Sequence, residues 1–167
     1  MFASLTARIS AWRALAFGSL FVALLMPMQP CAADGLEIIS SFTGGDAQLK
    51  VAVYTEGAET VGLIGAWGPT AQGGPLKVSF TFSKQEMDTF IALVQKAIQI
   101  QSAQWQQAGS MDESGTSSPS HVVVYGGPSL QFAVTDPSKG SVTFVLAGSD
   151  ETALVNALNQ AEGRLSD

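Results

Sequence analysis

Short runs in which apolar and polar residues alternate, each closed by a glycine-bearing turn, dominate this chain and restrict it to an antiparallel sheet. From Gln48 to Thr55, Leu49, Val51, Val53 and Thr55 fall on one face, with Lys50, Ala52 and Tyr54 on the other. A period of two marks a half-buried strand. Lys77, Ser79 and Thr81 alternate in the same way with Val78, Phe80 and Phe82. Strand signals also run from Leu36 to Phe42, Thr60 to Trp67, His121 to Tyr125, Ser129 to Thr135 and Ser141 to Ala147. The turns between them are Thr43-Gly44-Gly45-Asp46, Glu56-Gly57-Ala58-Glu59, Gly126-Gly127-Pro128 and Asp136-Pro137-Ser138-Lys139-Gly140. Links this short cannot make a crossover, so strand neighbours are antiparallel.

Two helices interrupt the strands. Ser83 and Glu86 have the spacing of a capping box, in which each side chain satisfies a backbone N–H of the other residue. Met87, Phe90, Ile91, Val94 and Ile98 then recur at three- and four-residue steps, the mark of an amphipathic helix. Leu93, Ala97 and Ile100 widen that stripe to about half the circumference, more than one sheet face needs. These three residues form a candidate apolar patch for a protein partner or a second copy, and the helix is expected to touch a second element. Ser149 or Asp150 opens a final helix whose buried stripe is Leu154, Val155, Leu158, Ala161 and Leu165. Between the helices, residues 106–120 are rich in Gly, Ser and Thr and are expected to form a flexible loop.

The fold class is therefore α+β: a two-layer domain with a largely antiparallel sheet of about seven strands and two helices on one face. An offset of 64 places Val142 on Val78, Phe144 on Phe80, Leu154 on Phe90 and Ala161 on Ala97. The layout reads as a βββ(β)α–βββα duplication, although any two strand-then-helix segments would match in part. In architecture alone, four strands followed by a helix and repeated resembles the single-stranded nucleic-acid folds of the Whirly and Pur type. None of their motifs is present, so the resemblance implies a layout and not a function.

The first 33 residues read as a cleavable secretory signal. Arg8 and Arg13 precede a fifteen-residue apolar run, Ala14 to Met28, that is shorter than the ~20 residues of a membrane-spanning helix. Cys31-Ala32-Ala33 supplies small residues for a cut after Ala33. Lipidation of Cys31 is the competing reading, but Met28-Gln29-Pro30 lacks the small residue it needs. Residues 34–167 then form one domain, without cysteine and with no integral membrane segment. Loss of two arginines leaves six cations against fourteen acids, a formal charge of −8. That balance argues against nucleic acid as a partner. Export to a bacterial periplasm or exterior is the expected location.

Candidate chemistry is thin. His121 is the only histidine, so a hydrolase would need it as general base with Asp112, Glu113 or Asp136 as orienter and a nearby serine as nucleophile. No G-x-S-x-G elbow supports such a triad. One histidine cannot build a zinc site alone, and Asp112-Glu113 and Asp150-Glu151 lack the calcium-loop spacing, so neither metal nor cofactor is expected. Gly62, Gly65 and Gly68 lie in or just after a strand, not before a helix, which suits close packing better than a nucleotide loop. Trp67 and Trp105 are candidates for a ligand groove, with core packing as the default for Trp105. The expected function is an exported, non-catalytic binding or assembly module, with a hydrolase using His121 as the alternative.

Overall fold

The computed structural model describes residues 35–69, 75–146 and 148–165. The expected leader, its cut after Ala33 and Cys31 lie outside the described residues. Eight strands and two α-helices follow in order: β1 (Leu36–Gly44), β2 (Ala47–Glu56), β3 (Glu59–Pro69), β4 (Pro75–Phe82), α1 (Lys84–Ile98), β5 (Gln106–Asp112), β6 (His121–Gly126), β7 (Leu130–Asp136), β8 (Gly140–Leu146) and α2 (Glu151–Glu162). A single 3-10 turn, Gly148–Asp150, leads into α2. The strands form two four-stranded antiparallel sheets, β1-β2-β3-β4 and β5-β6-β7-β8. The architecture is broadly the two-layer antiparallel α+β arrangement read from the sequence, but the strands number eight and divide between two sheets, and the helices lie on different sheets instead of on one face.

Both halves repeat the pattern of four strands and a helix, and they interlock. β8 touches all four strands of the first sheet, so it crosses that sheet's inner face. α1 packs chiefly on β5 and β6, whereas α2 packs on β1 and β2. Each helix thus covers the sheet of the other half. Phe80, Phe82, Phe90 and Phe132 form a chain of tilted rings with centroids 4.6, 5.0 and 5.9 Å apart. That chain joins β4, α1 and β7 in one core, and edge-tilted pairs at such distances are favourable beyond their area alone.

Local structure follows the sequence signals closely at the turns and caps. Gly45 (φ +60°) and Gly57 (φ +61°) each take the first central position of a two-residue hairpin. The residue after each has negative φ, the pattern of a type II′ turn. The Ser83 hydroxyl accepts from Glu86 N at 3.4 Å, and Glu86 Oε2 accepts from Ser83 N at 2.7 Å, completing the capping box. α2 starts at an N-cap Asp150 whose side chain makes no cap bond.

Two expectations change. Residues 106–120 are not loop throughout: Gln106–Asp112 is β5, an edge strand paired with β6. A register shift between Gln107 and Gly109 breaks its alternation, which hides the period of two. α1 also ends at Ile98, and Trp105, expected to pack in the core, lies beyond it and stands 40% exposed.

Candidate functional site

The strand register fixes which side chains share the outward face of the first sheet. Thr43, Gln48, Trp67 and Lys77 face one another in a row across β1, β2, β3 and β4. The next row inward is Ser41, Lys50, Gly65 and Ser79. Facing residues have Cβ atoms about 4.5–5.5 Å apart, so Gln48 and Lys77 flank the Trp67 ring directly, and Lys50 lies on its diagonal. Trp67, Lys50 and Lys77 are half-buried, while Thr43 and Gln48 are exposed. On the opposite face, Leu49, Ala66 and Val78 of the same strands enter the core. The aromatic and the lysines therefore point outward because their neighbours are buried.

Charge is distributed unevenly over the cations. Lys84 pairs with Glu162 at 3.3 Å, Lys139 with Asp136 at 3.0 Å and Arg164 with Glu37, and Lys96 donates to the Ala108 carbonyl at 2.7 Å. Lys50 and Lys77 have no ion pair and no side-chain hydrogen bond among the described residues. Both bracket Trp67. The two rows hold no carboxylate; Asp46 stands beside them in the β1–β2 turn, Glu113 bonds to Thr81 further along β4, and Glu56 and Glu59 lie at the far hairpin end. That end is six residues beyond Lys50 on β2, roughly 20 Å away at ~3.4 Å per residue. Screening at physiological salt has a length of about 8 Å, so Glu56 and Glu59 do not cancel the lysines, whereas Asp46 acts locally at the hollow.

Beside Trp67 is a hollow of about 370 Å³ lined by Thr43, Gly45, Asp46, Ala47, Gln48 and Trp67. The β1–β2 turn forms its outer wall. A Cβ placed on Gly45 would meet no atom within 4 Å, so the turn leaves that side clear.

The sequence candidates are placed as follows. His121 and Asp112 face each other across β6 and β5, with Nδ1 to Oδ1 at 2.7 Å. Their side chains are 39% and 69% exposed on the flat outward face of the second sheet. The next residue in that row, Thr135, donates its hydroxyl to Ser141 at 3.0 Å. A base and an orienter are thus present, but among the described residues no hydroxyl bonds to the imidazole. Glu113 is occupied elsewhere, accepting from Thr81 N at 3.1 Å and from the Thr81 hydroxyl. Asp136 accepts from Ser138 N, Ser138 Oγ and Lys139 N within its own turn. Burial pushes the Asp136 carboxyl upward, but those bonds and Lys139 outweigh it and hold it below the usual range.

Ala97 is buried, and Leu93 and Ile100 are half-buried against the core, so the three do not form an exposed patch. Gly109 of β5 and Gly126 of β6 admit Leu93, Ala97 and Ile100 of the α1 region. Among the described residues, no group of three or more His, Cys, Asp or Glu side chains stands together, and no helix is long and apolar enough to cross a membrane. Lys50, Lys77, Gln48 and Asp46 are the residues that sequence reasoning passed over. Alternation already set Lys50 and Lys77 outward, but nothing in the sequence set them beside Trp67.

No protein-family model matches the chain, and no curated protein matches it. Among solved structures it is similar to WHY1 from Arabidopsis thaliana, with TM-score 0.49 and 14% identity, over 84% of this chain and 88% of that one. It is also similar to the plant transcriptional regulator PBF-2, with TM-score 0.46 and 14% identity, over 80% of this chain and 90% of that one. These neighbours run against the expected readings of function, partner and location. The readings concerned are an exported binding or assembly module, its hydrolase alternative through His121, a periplasmic or extracellular site and the exclusion of nucleic acid. None is carried further. Net charge does not by itself decide the partner, because it sums over a surface, whereas a polyanion meets only the charges within a screening length.

Proposed function

We propose that this protein binds single-stranded nucleic acid across the outward face of its first sheet. The observation that carries this reading is Trp67 set between Gln48 and Lys77, with Lys50 on the diagonal and neither lysine paired among the described residues. An indole face accepts any base by stacking, worth about 1–3 kcal/mol per base. Lys50 and Lys77 stand two strands and two residues apart, roughly 12 Å by sheet spacing, on either side of that ring. They supply point charges for the phosphates that flank the stacked base. A duplex does not suit the arrangement, because paired bases present no free face to the indole.

Two phosphate contacts make binding weak and dependent on salt. For a single strand each contact contributes a slope of ~0.7, so a tenfold rise in salt weakens binding about 25-fold. The test is fluorescence anisotropy of a labelled mixed-sequence 12-mer with the full chain, between 20 and 200 mM salt. Trp67→Ala is expected to weaken binding about 5- to 150-fold, from the stacking range above. Lys50→Gln combined with Lys77→Gln flattens the salt dependence, while Lys139→Gln, remote and paired with Asp136, changes little. No binding at 20 mM salt, or unchanged binding by folded Trp67→Ala, removes this reading.

A further inference from the structure

We infer that the hollow beside Trp67 is a base-selecting pocket that prefers guanine, with Asp46 as the specificity-determining residue; this rests on the nucleic-acid reading above. The hollow adjoins the stacking ring, and its ~370 Å³ falls in the range of small-ligand sites. Its polar lining comes from three side chains. Asp46 is acceptor-only when ionised, whereas the Thr43 hydroxyl and the Gln48 carboxamide can each donate and accept. The hairpin fixes where the Asp46 backbone stands. Gly44 and Ala47 pair at the base of the turn, and the II′-type conformation at Gly45 and Asp46 leaves two residues to form the rim.

A carboxylate at the rim discriminates among base edges. Guanine presents N1–H and the 2-amino group side by side, two donors that match the two oxygens of one carboxylate. Thymine and uracil present a single N3–H between two carbonyl oxygens, which a carboxylate repels. Adenine and cytosine each offer one amino group next to a ring-nitrogen lone pair, which opposes the second oxygen. Only guanine makes two charge-assisted bonds, the strong and directional kind. The same negative charge disfavours a phosphate in the hollow, so a strand is admitted there by its base and not by its backbone.

The experiment compares 9-mers of thymidine carrying one central guanine, adenine, inosine or thymine, each titrated by anisotropy into the full chain. Guanine is expected to exceed thymine by about 5- to 150-fold, the range of one bidentate base contact. Inosine, which lacks the 2-amino group, falls between them. Asp46→Asn should weaken the guanine oligomer and tighten the all-thymine one, opposite signs that a loss of fold cannot produce. If all oligomers bind alike, or Asp46→Asn leaves the guanine-to-thymine ratio unchanged, the pocket is not selective and the stacking platform stands without it. If no oligomer binds at all, the platform itself falls.

Discussion

Glu86 shows how much one side chain can hold in this fold. Its Oε2 accepts from the Ser83 amide and hydroxyl at 2.7 and 2.6 Å, and its Oε1 accepts from Ser114 N at 3.0 Å. One carboxylate therefore closes the N-terminus of α1 and anchors the segment that follows β5. Burial pushes its pKa upward, but the hydrogen bonds from Ser114 and Ser83 outweigh that and hold it below its ordinary 4.5. The sign follows from linkage. A carboxyl depressed in the folded state contributes stability that is present above the unfolded value and is lost as pH falls through the folded one. Glu86→Gln should cost about 0.5–2 kcal/mol at neutral pH, the range of a lost cap. It should also flatten the decline in stability below pH 4.5. Urea midpoints for both proteins at pH 7, 5 and 3.5 check this; parallel declines would show that the carboxylate does not carry the acid limb.

At the scale of elements, Gly62 in β3 and Gly126 in β6 mark where the two ends of the α1 region meet the two sheets. A Cβ on Gly126 would lie 2.0 Å from the Ala97 carbonyl oxygen and 2.9 Å from Ile100 Cβ, backbone and branched side chain that cannot withdraw. A Cβ on Gly62 would lie 2.4 Å from Met87 Cε, the free end of a flexible chain. Gly126→Ala is therefore expected to cost about 3 kcal/mol or more, at or above the usual overpacking range, and Gly62→Ala about 1 kcal/mol. Equal losses in urea denaturation would contradict the assignment of the rigid contact to α1 and β6. Most of these elements were legible in the sequence. The alternation around Leu49 and Phe80, the Ser83–Glu86 spacing and the Met87–Ile98 stripe are each local patterns, and each lies where expected. β5 was not legible, because Gln106, Gln107, Gly109 and Ser110 carry no apolar alternation and the strand is held by pairing with β6. The site was half legible. Alternation turned Lys50 and Lys77 outward, and Trp67 was a candidate ligand residue. Their adjacency depends on the register of β2, β3 and β4, which no single segment encodes.

The whole molecule depends on the exchange of helices between halves. α1 lies on β5 and β6, α2 lies on β1 and β2, and β8 crosses the inner face of the first sheet. A fragment of residues 35–103 would keep its own four strands but lose α2 and β8, the elements that cover them. A fragment of 104–165 would lose α1 in the same way. Each falls below the ~70–80 residues at which a single core supplies useful stability, and each would leave one sheet face in water. Neither is expected to unfold cooperatively alone, whereas the intact chain should show one two-state transition. Mixing the two fragments should restore the far-ultraviolet dichroism and the cooperative urea transition, because the contacts they exchange are long-range and complementary. A fragment of 35–103 with its own sharp transition would mean that the first sheet is stable without its partner's helix. Trp67, Lys50 and Lys77 would then stand on an independent unit. With the interlock intact, the outward face that carries them is held in register because its inner face is packed against the other half of the chain.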